Sequence, residues 1–355
     1  FIETNKSITY TLYIWLRYVE DPTINLASLL GTSVKAYVSV NGTDTKESTS
    51  CKFDSSKKIS YVVTFMKEDN KTVLETRKVS SGSVLGNLPS TRQYFTKTGG
   101  NGTEYTSTST ITDDALVYPK LTKFELDSWT TIATNVRNGN TGDYNVGDTK
   151  EVNLGTTYGT HTLRIANTTT PSECSTSGFS QTACGFVLEF ADIITTYEMN
   201  DTDTNVGGWP ASSMYDFVNY DIYNSLPSDL KSTIIDTTVV SSHGSTNGEN
   251  FTSIDKLYLL SLKEVYSDWS TNSYSSYDSA KDLTRTLDYY INKNVTSSDD
   301  SETIKKYKTT DSWWWLREAH SNYDHSFFIV PTDDYSYFST YANTSGGVSP
   351  AFRIG

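Results

Sequence analysis

The C-terminal stretch SWWWLREAHSNYDHSFFIVPTDDYSYFSTYANTSGGVSPAFRIG, residues 312–355, decides the fold of this chain. It opens with three consecutive tryptophans, Trp313, Trp314 and Trp315. Successive side chains of a strand point to opposite faces, so the outer two indoles share one face and Trp314 takes the other. Rings of this size bury large apolar areas, and we therefore expect them to form part of the core.

Two arginines, Arg317 and Arg353, lie in the motifs at the two ends of this stretch. A guanidinium presents a fixed fork of donors, and a buried one needs a carboxylate partner. Asp255 and Glu264 are the candidates for that role. We expect both arginines to stabilise the fold rather than to bind a ligand. The residues expected to shape the turn into the last strand are Gly346, Gly347 and Pro350.

The segment between these motifs, residues 320–349, has a composition of its own. It contains no Lys, Arg, Glu, Gln, Met or Trp and consists mainly of Tyr, Ser, Asp, Asn, His, Phe and Thr. Tyrosine gives contact area at low entropic cost and serine adapts its hydrogen bonds, which suits a binding loop. The alternative is an ordinary solvated loop between two strands. The predicted ligand contacts are Ser321, Asn322, Tyr323, Asp324, His325, Asp333, Asp334, Tyr335, Tyr337, Ser339, Tyr341 and Asn343.

The composition of the whole chain excludes some partners. The 355 residues exceed one average domain. There are 42 acidic and 29 basic residues, for a formal charge of -13, and no Lys/Arg cluster that could follow a phosphate backbone, so nucleic acid is a poor candidate partner. No run of about 18 apolar residues occurs, so no membrane insertion is expected within this sequence. The chain begins at Phe1 rather than Met, and we expect a signal peptide, anchor or further domains outside it.

The first part of the chain alternates apolar and polar residues. Between residues 8 and 40 the segments ITYTLYIWLRY and VKAYVSV show a period of two, which predicts strands. We expect an all-β module over residues 1–58 that consists of a few strands of a small, partial β-sandwich. Its segment TYTLYIWLRY, residues 9–18, resembles the closing strands of pilin-like surface modules.

A second all-β module is predicted over residues 59–122. Its sequence predicts a strand, a charged turn, a second strand, a turn at Gly82 and a final strand ending in LVYPKL. This order resembles the Listeria–Bacteroides surface repeat, a small β-grasp-like module of bacterial surface proteins. The sequence departs from that repeat after Phe95, where TKTGG replaces the usual Gly-Trp-Tyr. The resemblance implies a location at a surface more than a chemistry.

Residues 123–355 mix helices and strands without strict alternation, which predicts an α+β domain. SWTTIATNVRNG predicts a helix with Trp129, Ile132 and Val136 on one face and a glycine stop. GDTKEVNL, HTLRIA and GFVLEFADII predict strands. MYDFVNYDIYNSL and SDLKSTII predict amphipathic helices, the second beginning after Pro227. KLYLLSLKEV predicts a strand that turns into a short helix.

Four motifs in this domain together carry a resemblance to a known family. They are GGWPASSMYDFVNYDIYNSLPSDLKSTIIDTTVVSSHGS at 207–245, IDKLYLLSLKEVY at 254–266, SWWWLREA at 312–319 and GGVSPAFRIG at 346–355. Their order and spacing resemble a domain family of unknown function in bacterial surface proteins. That family is similar to the C-type-lectin fold of the formylglycine-generating enzyme and of the variable proteins of diversity-generating retroelements.

The resemblance implies a C-type-lectin-like fold for residues 123–355. It also implies that residues 320–349 form a variable ligand surface. Most residue types of this segment are reachable by substituting the adenines of an Asn codon, which is how retroelements diversify such proteins. Tyr, Ser, Thr and Asn are common along the whole chain, so part of this signal is background.

No catalytic pattern is present, and we expect a non-enzymatic protein without a cofactor or a bound metal. A formylglycine-generating enzyme needs a cysteine pair in the C-terminal domain, whereas Cys174 and Cys184 lie well before the motifs that would frame its site. These two cysteines either close a small disulfide loop or stay reduced, and Cys51 has no obvious partner. His320 and His325 lack metal-ligand spacing and are expected to be solvated loop residues.

The sequence therefore predicts a multidomain protein in which two small all-β modules present an α+β, C-type-lectin-like domain. We expect a bacterial protein that is extracellular or anchored at the cell surface and that binds a protein or glycan on another cell or host surface. The alternative is a structural or adhesive spacer without a specific variable site. Calcium-dependent sugar binding through Asp333, Asp334 and Asn343 is a further alternative, although no glutamate accompanies them.

Overall fold

The computed structural model describes residues 60–298, 301–332 and 338–355. The chain divides into two units after Lys57, and the description below concerns the second. Outside the described residues lie the predicted module at residues 1–58, Cys51, and the ligand-contact candidates Asp333, Asp334, Tyr335 and Tyr337.

Strands and short helices alternate irregularly along the described residues. The strands are β1 (Ser60–Met66), β2 (Val73–Ser80), β3 (Tyr94–Lys97), β4 (Asn101–Tyr105), β5 (Ala115–Pro119), β6 (Thr149–Asn153), β7 (Thr160–Asn167), β8 (Val187–Phe190), β9 (Thr195–Tyr197), β10 (Thr237–Ser241), β11 (Phe251–Asp255), β12 (Lys305–Tyr307), β13 (Thr310–Ser312), β14 (Trp314–Ala319), β15 (Ser326–Val330), β16 (Ser339–Tyr341), β17 (Gly346–Val348) and β18 (Ala351–Arg353). The α-helices are α1 (Lys123–Leu126), α2 (Trp129–Arg137), α3 (Gly155–Tyr158), α4 (Ser213–Asp216), α5 (Tyr223–Ser225), α6 (Ser228–Lys231), α7 (Leu262–Val265) and α8 (Asp288–Asn292).

The first five strands form one mixed sheet in the order β2-β1-β5-β3-β4. β1 runs parallel to β5 and antiparallel to β2, while β3 is antiparallel to both β5 and β4. This sheet has a hydrophobic core of its own, which includes Val63, Phe65, Tyr94 and Val117. Phe65 and Tyr94 meet edge to face with their ring centroids 5.0 Å apart. The strands predicted from the sequence between Ser60 and Pro119 are thus found in this sheet.

An ion pair joins this sheet to the segment that follows it. Arg92 donates from its two terminal nitrogens to the carboxylate of Glu125, at 3.1 and 2.7 Å. Glu125 is also the third residue of α1, where it closes a capping box with Thr122. The same carboxylate therefore begins a helix and holds a loop of the preceding sheet. The domain boundary predicted at residue 122 falls at this cap, and it stays a prediction.

The strands from β6 onward surround one large hydrophobic core. They form a four-stranded sheet in the order β18-β8-β7-β6, a five-stranded sheet in the order β16-β15-β14-β17-β9, and the hairpins β10–β11 and β12–β13. All six residues of β14 are buried, including Trp314 and Trp315, whereas Trp313 is half-buried. This region is mostly β-sheet with few and short helices. No helix of the described residues is long and apolar enough to cross a bilayer.

The helix predicted from SWTTIATNVRNG is confirmed as α2. The side chain of Ser128 accepts the amide hydrogen bond of Thr131 and thereby begins the helix. Trp129 and Ile132 are buried, as the periodicity predicts. Gly139 follows with φ +72°, a left-handed conformation that glycine adopts without steric cost. Strands β6, β7 and β8 likewise lie where the sequence predicts them.

The two helices predicted between residues 214 and 235 differ from expectation. The first consists of α4 and α5 joined by a π-helical segment, Phe217–Ile222. The second, α6, is a single turn that ends at Lys231. The β-branched residues that follow favour extended backbone, and Ile234 makes an isolated β-bridge with Ile354. The expected strand in KLYLLSL is likewise reduced to a bridge between Tyr258 and Ala351.

The last strand predicted from VSPAFRI is two strands that belong to different sheets. β17 pairs with β9 and β14, whereas β18 pairs with β8. The two glycines lie within β17 rather than in a turn before a strand. A Cβ on Gly346 would lie 2.1 Å from the indole of Trp313, and one on Gly347 would lie 2.7 Å from Ile193. The glycines therefore serve close packing on both faces of β17.

A buried acidic residue, Glu189 of β8, organises the four-stranded sheet. Its carboxylate accepts from Arg164 at 2.8 Å, from Lys305 at 2.8 Å and from the hydroxyl of Tyr290 at 2.9 Å. Burial alone raises the pKa of a carboxyl group, but the charges of Arg164 and Lys305 bring the pKa of Glu189 down to about 2. Glu189 is therefore ionised and paired inside the core.

A second buried pair joins Arg317 of β14 to Glu264 of α7. Each terminal nitrogen of the guanidinium lies 2.7 Å from one carboxylate oxygen of Glu264, and both side chains are fully buried. Glu264 also closes a capping box with Ser261 at the start of α7. It accepts hydrogen bonds from the hydroxyls of Thr182 and Thr284. The prediction that a buried arginine takes Glu264 as partner is correct for Arg317.

Arg317 extends this network to two further segments. Its Nε donates to the carbonyl of Val240 at 3.1 Å, and a terminal nitrogen donates to that of Leu259 at 3.0 Å. Cys174 and Cys184 form a disulfide with their Cα atoms 5.9 Å apart, and the loop that they close contains Thr182. The pair therefore ties together β10, β14, α7 and the disulfide loop.

The second predicted arginine, Arg353, pairs with no carboxylate in the part of the chain that the structure describes. It is half-buried, and its Nε has no hydrogen-bond partner among the described residues. Burial lowers the pKa of Arg353 from its usual value. Asp255, the other candidate partner, instead accepts from the indole nitrogen of Trp209 at 2.8 Å.

Removing the carboxylate of Glu264 is expected to destabilise the chain strongly. In Glu264→Gln the buried guanidinium of Arg317 loses its bidentate partner and keeps only Glu318, 3.2 Å from its Nε, and we expect a loss of about 3–5 kcal/mol. Denaturant unfolding at neutral pH measures this loss. The matched control is Glu302→Gln at the exposed pair Lys293–Glu302, where the side chains are 45% and 43% exposed. We expect a loss below about 1 kcal/mol there. Similar losses in both variants would contradict the assigned role.

Candidate ligand-binding surface

The loop between β14 and β15, residues 320–325, is held by one asparagine side chain. The amide nitrogen of Asn205 donates to the carbonyls of His320, Tyr323 and Ser326, at 3.1, 2.7 and 2.9 Å. The backbone N–H of Asn205 donates to the carbonyl of Asp324 at 2.7 Å. Asn205 is fully buried. The path of the loop is therefore fixed by bonds to its main chain.

Five flat side chains stack in a row at this loop, and we call Tyr277, His320, Tyr323, His325 and Tyr341 the ring ladder. Successive ring centroids lie 4.7, 4.6, 5.7 and 5.0 Å apart along that order. Neighbouring planes differ by 23, 25, 21 and 27°. Near-parallel rings at these distances are offset-stacked, which is a favourable arrangement for aromatic pairs.

Three segments of the chain supply the ring ladder. Tyr277 ends a short 3₁₀ turn that begins at Ser273. The next three rings come from the β14–β15 loop, and the carbonyl of Tyr277 accepts the backbone N–H of Ser321 at 3.0 Å. Tyr341 ends the edge strand β16, where the next residue, Ala342, donates its N–H to the carbonyl of His325 at 2.8 Å. Backbone bonds thus align all three segments.

The ring ladder runs from the core to the solvent. His320 is 2% exposed, whereas Tyr323 and Tyr341 are 50% and 56% exposed. Stacking covers the faces between neighbours, so that solvent meets mainly the ring edges with their hydroxyl groups and ring nitrogens. Tyr341 ends the row, and no further described ring stacks on its outer face. The surface therefore offers one open aromatic face and several polar edges.

His320 is part of the buried end of the ladder, so the expectation of a solvated loop histidine is wrong for it. Besides its two ladder neighbours, its ring stacks on Phe328 with a centroid distance of 5.2 Å. Burial, with a smaller contribution from His325, lowers the pKa of His320 to about 4. Its Nδ1 accepts the backbone N–H of Asn322 at 3.2 Å, so the neutral ring carries its proton on Nε2.

The exposed end of the ladder carries an acidic group beside an imidazole. Asp324 and His325 lie 3.0 Å apart, measured from the carboxylate oxygen to Nδ1. The side chain of Asp324 is 66% exposed and that of His325 is 33% exposed. Together with the two tyrosine hydroxyls they can donate and accept hydrogen bonds to a ligand. Within the described part of the chain, no group of three or more His, Cys, Asp or Glu side chains could hold a metal ion.

The structure brings four of the predicted contacts together and places the other described ones around them in sequence. Tyr323, Asp324, His325 and Tyr341 come together in and beside the ring ladder. Asn343 is exposed after β16. The remaining described candidates are Ser321 and Ser339, which are half-buried, and Asn322, which is exposed.

Sequence reasoning did not identify Tyr277 or Asn205 as parts of this surface. Both lie far from the loop in sequence and carry no local motif that indicates a contact with it. His320 was noticed, but only as a loop residue. The signal that could have found its burial is its place directly after β14, a strand without a single exposed residue.

Residues 186–355 match the model of a family described as a domain of unknown function (DUF6273). The match covers just under half of the chain, and it includes β14 to β18 and the whole ring ladder. It agrees with the predicted resemblance to a family of unknown function, although residues 123–185 lie outside it. No curated protein and no solved structure matches this chain.

Replacing Asn205 by Ala is expected to loosen the loop that carries the ladder. The variant removes the three hydrogen bonds from the amide of Asn205 to carbonyls of the loop, at a cost of about 1–3 kcal/mol. Hydrogen exchange of the amides between residues 320 and 326 should therefore speed up by about tenfold or more. Asn343→Ala, at an exposed asparagine of the same region, serves as the control and should leave the exchange unchanged. Equal protection in both variants would show that Asn205 does not hold the loop.

Proposed function

We propose that the C-terminal domain binds a ligand without chemistry, and that the exposed end of the ring ladder is the contact surface. The observation that carries this proposal is the row of rings that leads from the buried His320 to the exposed Tyr323 and Tyr341. The ligand is a protein or glycan on another cell or host surface. The chain is then an adhesin or receptor that a bacterium secretes or carries on its surface.

The stacking supports this role because it reduces the entropic cost of binding. A ring held between two neighbours has few conformations to lose when a ligand arrives. The Tyr323 and Tyr341 rings combine contact area with a polar tip, which is the property that binding loops use. Asp324 adds a charge that can select among ligands. A surface of this kind is prepared for contact before the ligand is bound.

We further propose a C-type-lectin-like fold for the domain and variation of its ligand surface by a retroelement. The exposed candidates Tyr323, Asp324 and Tyr341 lie on a loop and an edge strand, next to strands that are fully buried. Substitutions at such positions leave the core unchanged. In the preceding module, the strand order β2-β1-β5-β3-β4 with its parallel β1–β5 pair supports a β-grasp-like repeat.

The binding proposal is tested on arrays of glycans and of folded extracellular proteins, probed with the labelled full chain. We expect at least one arrayed glycan or protein to bind the wild-type chain. The triple variant Tyr323→Ala, His325→Ala, Tyr341→Ala should weaken that binding by at least about tenfold, since a central aromatic contact contributes 2 kcal/mol or more.

The matched control for this test is Tyr220→Ala. Tyr220 is 71% exposed and lies on the π-helical segment rather than in the ladder. The control should bind as the wild-type chain does. Binding to none of the arrayed molecules, or equal binding by the triple variant and the wild-type chain, would overturn the proposal.

A structural or adhesive spacer is the competing function, and population sequencing separates the two. A diversified binder predicts variation confined to the segment from His320 to Asn343, with Asn205 and Arg317 unchanged. It also predicts a neighbouring reverse transcriptase with an adenine-rich template copy. A spacer predicts that the segment is nearly invariant among isolates. Sequencing the locus and its flanks across one population measures both.

A further inference from the structure

A groove of about 390 Å³ opens beside the edge strand β16. The half-buried indole of Trp313 lines it together with Ile329 and Pro331. The hydroxyl-bearing residues Thr332, Ser339, Thr340 and Thr344 complete the lining. A volume of this size lies within the range of small-molecule sites, which combine apolar walls with a few polar groups.

The aromatic wall of the groove lies on the face of the sheet opposite the ring ladder. Thr340 pairs with Phe327, and Ile329 pairs with Trp315. Since paired residues share a face and neighbours along a strand alternate, these four point to the Trp313 side of the sheet. Tyr341 points to the other side, where the ladder stacks, and so does the groove residue Ser339, which pairs with Phe328.

The described lining of the groove is uncharged. Its residues are Trp, Ile, Pro, Thr and Ser. An ionic ligand gains no partner of opposite charge from these side chains. The described lining therefore favours an uncharged occupant.

Trp313 is held in place before any ligand arrives. Its six-membered ring lies against the backbone of Gly346, where a Cβ would be 2.1 Å away. Its ring meets that of Trp315 edge to face, with centroids 5.1 Å apart. The indole nitrogen of Trp315 is in turn fixed by a 2.9 Å hydrogen bond to the carbonyl of Tyr197. The indole of Trp313 is thus a rigid wall.

The threonine hydroxyls are available to a ligand. Within the described residues, neither the hydroxyl of Thr340 nor that of Thr344 is engaged in a hydrogen bond. Each can donate one hydrogen bond and accept two. An aromatic wall that faces free hydroxyls matches a molecule with an apolar C–H face and a rim of hydroxyl groups. That combination is the chemistry of a neutral pyranose ring.

We propose that this groove is a site for a neutral sugar ring, bound without calcium and separately from the ring ladder. The C–H face of the pyranose packs on the indole of Trp313, and its hydroxyls exchange hydrogen bonds with Thr340 and Thr344. An apolar peptide side chain is the competing occupant. It would use the indole but would gain nothing from the threonine hydroxyls.

The experiment titrates methyl glucoside, methyl galactoside, N-acetylglucosamine and glucuronate into the full chain in the presence of EDTA. Saturation-transfer NMR and calorimetry report binding. We expect at least one of the three neutral sugars to bind with a Kd of about 1 mM, and glucuronate to bind more weakly. Thr340→Val and Thr344→Val should each weaken the binding by about two- to tenfold, because each removes one hydrogen bond without a change of shape.

Two controls separate this site from other effects. Thr310→Val, at an exposed threonine of β13, should leave sugar binding unchanged. Tyr220→Ala, at an exposed tyrosine of the π-helical segment, should also leave it unchanged. The proposal is overturned if no neutral sugar binds, if binding requires calcium, or if both threonine variants bind as the wild-type chain does. Preference for an apolar peptide over the sugars likewise overturns it.

Discussion

The ion pair between Arg317 and Glu264 is the contact on which the C-terminal domain depends. Both groups are fully buried, so removing either one would leave the other with too little compensation for its lost hydration. The guanidinium uses its remaining donors on the carbonyls of Val240 and Leu259, and the carboxylate receives hydroxyls from outside α7. A pair with so many fixed partners allows only one arrangement of these segments. His320, the buried member of the ring ladder, lies three residues after Arg317 and inherits that arrangement.

A buried charged network also holds the four-stranded sheet in place. Glu189 holds Arg164 from β7 and Lys305 from β12, and the guanidinium of Arg164 lies 3.6 Å from the ring centroid of Tyr289 in α8. Buried ion pairs add little stability compared with well-packed apolar residues, but removing one partner is costly. These two networks therefore specify how the sheets and short helices fit together more than they add to stability. Helices of four or five residues have little stability of their own and rely on such contacts.

Patterns within a few residues of the sequence predicted the features that depend on neighbouring residues or on one chemical rule. The cap and glycine stop of α2, the alternation of the tryptophans and the need of Arg317 for a carboxylate are all settled within a few residues or by one chemical rule. The ladder is different, because it requires Tyr277 and Asn205 to reach a loop that is distant in sequence. His320 lies among Tyr, Ser and Asn, a composition typical of solvated loops, and only the tertiary structure buries it. The glycines of β17 appeared as turn residues for the same reason, since the side chains that crowd them come from elsewhere.

The way in which the loop is held bears on whether its surface can vary. Asn205 bonds to the carbonyls of the loop, and Ala342 donates to the carbonyl of His325. Main-chain carbonyls are the same for every residue, so these bonds survive a change of any side chain between Ser321 and His325. The stacking of Tyr323 and His325, in contrast, requires flat rings. Substitution would remove the stacking and keep the loop. A variable binding surface needs that separation, in which the backbone fixes the shape and the side chains select the ligand.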